Sequence, residues 1–304
     1  MVTRRTFLLG ALGGAVLAAG GSVVAIEDGV LPGRTRLADL TGACDVDAVP
    51  APGPVGAITS GGFASSARGR DVGWSLALPP GHTAAGLPVT LILHGRGDDH
   101  SSGFAHLKLH EFLAAYTRAG GTPFALAAVD GGDRYWHPRS DGDDPLRMIT
   151  EEFLPMLDKL GLRIDPIGVL GWSMGGYGAL LFAREANRGT LSSVAASGRT
   201  TVVAAAASSP ALFASFRASS SGAFDSAADF AKYGDLVSAP DAGKTALYVG
   251  CGATDAFTGE TRRYRANASR LPAGDISKGC HTGGYWRSVA AAQISYIGSH
   301  LAMD

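Results

Sequence analysis

Apolar residues in this chain fall into short unbroken runs separated by longer amphipathic stretches, and that rhythm predicts its architecture. Val72 to Leu78 alternates apolar with polar positions, as a strand with one wet face does, and Pro79-Pro80-Gly81 turns the chain after it. Pro88 to Leu93 is apolar almost throughout, which suits a strand covered on both faces. The same signature returns at Phe124 to Val129, at Ile167 to Leu170, in a small-residue form near Thr201 to Ala207, and at Thr245 to Gly250. Between these runs the period changes. Phe104 to Arg118 reads as a helix. Leu146 to Leu160 sets Met148, Ile149, Phe153, Leu154, Leu157 and Leu160 at helical spacing, with Glu151, Glu152, Asp158 and Lys159 elsewhere on the circumference. Ala179 to Phe182, Gly259 to Leu271 and Tyr285 to Leu301 supply further helices. Buried strands alternating with helices predict a doubly wound, mostly parallel α/β sheet with helices on both faces, and ligands beyond the carboxyl ends of its strands.

The pattern also divides the chain. Residues 1–25 place Arg4-Arg5 ahead of Phe7 and continue as Ala- and Gly-rich apolar sequence, with no acidic residue before Glu27. That is an export signal of twin-arginine type. The 19 residues from Phe7 to Ala25 also reach the length of one membrane crossing, but their many small residues favour a cleaved signal over an anchor. Residues 26–67, rich in Gly, Ala, Pro and Ser, read as a linker and irregular segment, and residues 68–304 as one domain. The expected location is exported: secreted, periplasmic or cell-wall associated, with membrane association if the signal is retained.

Composition narrows the partners. With 304 residues, 46% of them hydrophobic, the chain can bury a large core, and a net charge of −1 without a basic run excludes a nucleic-acid partner. No cofactor is expected, and the residues give no bearing on oligomeric state. His106 and His110, with Glu111 alongside, have a spacing that metals use, yet no third ligand is evident, and no metal is expected. Asp141 to Asp144 lacks calcium-loop spacing and reads as a solvated turn, and Asn267-Ala-Ser269 is a chance sequon.

Candidate chemistry sits after the Ile167 run. Gly171-Trp172-Ser173-Met174-Gly175 joins a strand to a helix, the setting in which glycines two before and two after a serine let backbone approach closely and project the hydroxyl above the sheet. A serine hydroxyl needs a histidine to take its proton and a carboxylate to hold that histidine in one tautomer, in the chain order Ser, acid, His. Of the two histidines after Ser173, His300 lies at the end of a helix near the terminus, whereas His281 lies in a glycine-flanked loop. Asp255 follows the Thr245 run at once, with Glu260 in reserve. An oxyanion requires two backbone donors, expected from Met174 and from Arg96 in the loop after Leu93. Gly95, Trp172, Tyr135 and Trp136 are expected to border the substrate, the last two against an apolar acyl group or a sugar, with a packed loop as the equal alternative. Cys251 and Cys280 flank the candidate site and are the expected disulfide pair, leaving Cys44 odd.

Leu93-His-Gly-Arg, Glu152-Phe-Leu-Pro, Gly171-Trp-Ser-Met-Gly-Gly-Tyr-Gly-Ala-Leu, the Gly-x-x-Asp255 loop and Cys-His281-x-x-x-Tyr-Trp together resemble the esterase D group of α/β-hydrolases, which also holds secreted mycolyltransferases. The resemblance runs from about Gly73 to Leu301 and implies an α/β-hydrolase fold, a triad of Ser173, Asp255 and His281, and an oxyanion hole from the Arg96 and Met174 amides. Where the mycolyltransferases flank the oxyanion turn with Asp and Arg to hold trehalose, this chain has His94 and Gly97. The expected activity is therefore an exported serine esterase on a small-molecule or lipid ester. Acyl transfer to a sugar or lipid hydroxyl is the alternative, and a non-catalytic cell-wall or matrix-binding protein on the same scaffold the third reading.

Overall fold

A computed structural model describes residues 42–191, 201–240 and 242–302. Residues 1–25, where the export signal is expected, lie outside them. The strands are β1 (Ile58–Ser65), β2 (Arg70–Ala77), β3 (Pro88–Leu93), β4 (Ala125–Val129), β5 (Arg163–Trp172), β6 (Val202–Ser208), β7 (Ala246–Gly252) and β8 (Ile276–Ser277). They form one sheet in the order β1-β2-β4-β3-β5-β6-β7-β8, antiparallel at β1/β2 and β2/β4 and parallel from β4 onward. The principal helices are α1 (Ser102–Ala105), α2 (Leu109–Arg118), a run α3 made of Pro145–Arg147, a π-helical stretch Met148–Phe153 and Leu154–Lys159, then α4 (Met174–Arg188), α5 (Thr258–Asn267) and α6 (Gly283–Leu301), with further short helical turns at Phe216–Ala218, Ala227–Asp229 and Phe230–Gly234.

Strand alternation distributes the core over both faces. Val89, Leu91, Leu93 and Val169 face one way, onto Ile149, Phe153 and Leu157 of α3 and Tyr177, Leu180 and Leu181 of α4. Ile92, Leu126, Leu170 and Trp172 face the other, onto Phe112 and Leu113 of α2 and Ile294 and Ile297 of α6. The central strands are therefore covered on both sides, which is why their sequences read as unbroken apolar runs.

Four expectations need correction. The domain begins before residue 68, because Ile58–Ser65 pairs along its whole length with Arg70–Ala77; its outer face is exposed and it carries Gly61-Gly62, so it shows no apolar alternation. The expected helix from Phe104 to Arg118 is two helices, since Lys108 takes a left-handed φ of 57° between them, and His106 and His110 do not share one helix. Asp143 is no solvated turn residue: it is buried against Arg68 and Arg70, and Asp144 caps α3 by accepting from the Arg147 amide. The disulfide joins Cys44 to Cys280, with Cα atoms 5.0 Å apart, and Cys251 is free. Cys251 turns its thiol into the core toward Thr258 Oγ1, 3.8 Å away, and burial pushes that thiol up to about 12.

Candidate active site

The turn between β5 and α4 is strained by design. Ser173 has φ 55° and ψ −120°, a conformation that a residue with a Cβ holds only when its surroundings enforce it, at a cost of about 1–3 kcal/mol. The Ser173 amide donates to Ser208 O at 2.9 Å, and its carbonyl accepts from Ala211 N at 3.0 Å and Tyr177 N at 3.1 Å. Two glycines make the geometry accessible. A Cβ on Gly175 would stand 1.8 Å from Leu93 O, and one on Gly171 would stand 2.1 Å from Gly175 O. The start of α4 thus packs directly against the end of β3.

Three elements then converge above the sheet. His281, in the loop between β8 and α6, has Nε2 2.9 Å from Ser173 Oγ and Nδ1 2.8 Å from Asp255 Oδ2. Asp255 follows β7, is 1% exposed, and accepts the Phe257 amide on Oδ1 at 2.9 Å. With both carboxylate oxygens committed, His281 is held as the Nδ1–H tautomer, which leaves Nε2 a free lone pair toward Ser173. The edges of Phe257 and Trp286 close on the imidazole, with ring centroids at 5.3 and 5.2 Å. Glu260 is engaged elsewhere, accepting from Arg263 at 2.8 Å. His300 sits on its own helix carbonyl, Tyr296 O, at 2.8 Å.

The expected oxyanion donors lie at the two chain segments this packing brings together. Met174 N–H is the first of α4, where no intrahelical acceptor exists. Arg96 occupies a type II turn closed by Asp98 N donating to Gly95 O at 3.2 Å, with Gly97 at φ 82° in the position that requires glycine. Among the described residues neither amide has an internal acceptor. One planar peptide unit contains both Gly95 C=O and Arg96 N–H, so fixing the oxygen fixes the direction of the hydrogen. Buried His94 does the fixing: the Gly131 amide donates to its Nε2 at 2.9 Å, which leaves Nδ1–H to donate to Gly95 O at 2.7 Å. Burial lowers the His94 pKa and keeps the ring neutral, against the opposing pull of the Gly95 carbonyl and Asp130. Asp133 accepts the Gly97 amide at 2.7 Å and Asp98 accepts Trp172 Nε1–H at 2.9 Å, bracing the turn further.

The four expected substrate-border residues are all buried. Trp136 is fully enclosed, wedged against Gly178 and Gly131 with its Nε1–H donating to His94 O at 3.3 Å. Tyr135 joins an aromatic cluster with Tyr177, Phe213 and Phe224, and burial raises its hydroxyl pKa. Trp172 packs against Trp286, and Gly95 packs against Trp172. Gly95 and Trp172 brace the Gly95–Asp98 turn and the turn before α4, and for Tyr135 and Trp136 the structure favours the packed-loop alternative over a pocket border. Sequence reasoning did not single out His94, Asp98 or Asp133 as supports or Phe257 as a neighbour of His281. For Phe257 the signal was its place two residues after Asp255; for the others none exists without the fold.

The family model described as "Putative esterase" matches residues 65–273. The chain belongs to this esterase family. Two curated proteins of Mycobacterium tuberculosis, Esterase MT1326 (strain CDC 1551 / Oshkosh) and Esterase Rv1288 (strain ATCC 25618 / H37Rv), are each 29% identical to it over 133 residues. That is 40% of this chain and only 28% of either relative's length. Among solved structures it is similar to a ferulic acid esterase, with TM-score 0.65 and 17% identity over 81% of this chain and 99% of that one. It is likewise similar to an S-formylglutathione hydrolase from Agrobacterium tumefaciens, with TM-score 0.64 and 12% identity over 83% and 98%. These likenesses show the α/β-hydrolase fold.

Proposed function

We propose that this esterase cleaves small carboxylic esters through an acyl-enzyme on Ser173, with His281 as general base and acid and Asp255 as its orienting carboxylate. The observation that carries the reading is the unbroken relay from Ser173 Oγ through His281 to Asp255, at 2.9 and 2.8 Å, on a strained elbow. In this reading His281 Nε2 takes the hydroxyl proton as Oγ attacks the ester carbonyl. The Arg96 and Met174 amides receive the oxyanion, and the imidazolium returns its proton to the departing alcohol. Water, activated by the same Nε2, then releases the acid and regenerates Ser173. Asp255 orients the ring and stabilises the imidazolium formed in each step.

The experiment is labelling with a fluorophosphonate probe alongside turnover of a p-nitrophenyl ester. The probe should attach to the Ser173 peptide, and Ser173→Ala should abolish both signals while melting like the parent. Equal labelling of Ser173→Ala would refute the assignment.

The same proposal has residues 1–25 exporting the enzyme. The Cys44–Cys280 bond supports it, because disulfides persist in oxidising compartments. Cell fractionation that found the protein in the cytoplasm with these thiols reduced would refute export.

A further inference from the structure

Residues 44–47 lie outside the sheet and meet the domain at the loop that carries His281. Cys44 is bonded to Cys280, the residue immediately before His281. Asp47 pairs bidentately with Arg287 in the first turns of α6, Oδ1 with Nε at 2.7 Å and Oδ2 with Nη2 at 2.6 Å. The third arm of that guanidinium, Nη1, donates to His106 O at 2.9 Å, so Arg287 also ties the strap to the end of α1. Hydrogen bonding from Arg287 holds the Asp47 carboxyl below its ordinary value, which favours the charged pair. Between the two ties Val46 lies against one glycine of the loop and one in the first turn of α6. A Cβ on Gly284 would stand 2.4 Å from Val46 O, and one on Gly279 would stand 3.1 Å from Val46 Cγ2.

The loop needs such a partner. It holds Gly279, at φ 139°, and leads through His281 to Gly283-Gly284, so its backbone has more freedom than a segment carrying a general base can use. Its tie to the sheet is on the β7 side, where Ala253 N donates to Ser277 O at 2.7 Å and Thr254 N to Gly279 O at 3.0 Å. Those bonds end two residues before His281. The His281 side chain itself is 32% exposed and rests on Asp255, Ser173 and two ring edges, one of them Trp286, the neighbour of Arg287. Movement of the loop away from the sheet is thus opposed from outside by the strap, through Cys280 and through Arg287, one on each side of His281.

We propose that residues 44–47 are a clasp that positions His281, with the Cys44–Cys280 disulfide and the Asp47–Arg287 pair as its two fastenings. The clasp rests on the reading of His281 as the base, but its effect on the loop does not. Cys44 and Asp47 are positioning residues: they touch neither Ser173 nor the ester, and act by keeping the imidazole within reach of both partners.

The test compares the parent with Cys44→Ser, Cys44→Ser/Cys280→Ser and Asp47→Ala in three measurements: ester turnover, hydrogen exchange and thermal melting. Opening the disulfide should lower kcat by about tenfold to a hundredfold with KM little changed, the signature of a misplaced base. Exchange should accelerate in residues 277–287 and stay unchanged in the central strands; Asp47→Ala should show the same pattern, more weakly. If Cys44→Ser fails to fold, the parent protein is reduced with dithiothreitol under native conditions, its thiols counted, and activity followed through reduction and reoxidation. A lower melting temperature with unchanged kcat and unchanged exchange in 277–287 would make the bond a plain stabiliser and overturn the proposal. Faster exchange in that segment from a protein without ester turnover would support the clasp and sink the esterase mechanism instead.

Discussion

Replacing Asp255 with Asn is the most exacting check on the proposed relay, because the structure dictates which way the new amide must point. The Phe257 N–H, 2.9 Å from Oδ1, requires an acceptor there, so the Asn oxygen stays on that side. The amide nitrogen then takes the Oδ2 position, 2.8 Å from His281 Nδ1, and donates to it. His281 is forced into the Nε2–H tautomer and faces Ser173 with a donor where a base is needed. Restoring the productive tautomer would break that bond and set two buried donors face to face, at about 1–3 kcal/mol for each unsatisfied group. Loss of the carboxylate charge that stabilises the imidazolium adds to this. The sum approaches the ~5.5 kcal/mol equivalent to the ~10⁴-fold loss seen for such a change in the serine-protease triad. The measurement is kcat/KM on a p-nitrophenyl ester at neutral pH, with thermal melting to show that the near-isosteric variant folds. A loss of less than about tenfold, ~1.4 kcal/mol, in a folded Asp255→Asn protein would refute the reasoning and remove Asp255 from the relay.

Two further outcomes follow from the geometry. Gly175→Ala places a Cβ 1.8 Å from Leu93 O, so α4 has to withdraw from β3 by about an ångström; the variant should be insoluble, or folded with activity down by about a hundredfold, and parental kcat/KM would contradict the packing. Asp225 is held at about 2: burial, the largest influence, would raise it, but the Ser140 amide and Arg139 outweigh it. A depressed carboxyl contributes stability that is complete above its unfolded value of ~3.9 and is lost as pH falls toward its folded value. Asp225→Asn should therefore flatten the dependence of melting temperature on pH between about 4 and 2, and an unchanged slope there would refute the coupling.

Much of the fold was legible because its central strands are covered on both faces. Pro88–Leu93 needed no tertiary information, since every residue in it is buried. Ile58–Ser65 was illegible for the opposite reason: an exposed edge strand with paired glycines leaves no period to read. Ser173, Asp255 and His281 could be singled out from strand ends and chain order, and the structure brings their side chains together. The supports could not. Trp136 follows a strand end, which leaves a pocket residue and a packed loop equally open, and only its shape complementarity with Gly131 and Gly178 decides for a wedge. The cysteines were misread because nearness to the site in sequence says nothing about which way a side chain turns. Cys251 points into the core, and the partner of Cys280 lies 236 residues away.

That separation has a topological consequence. The bond between Cys44 and Cys280 closes the chain into a covalent ring that contains every strand of the sheet. A single proteolytic cut in any surface loop between them opens the ring without parting the pieces, which separate only when the bond is also reduced. By the chain-entropy model a ring of this size also removes about 5 kcal/mol of freedom from the unfolded state. A nicked molecule would therefore run as one species on a non-reducing gel, its two pieces joined only through the Cys44–Cys280 bond.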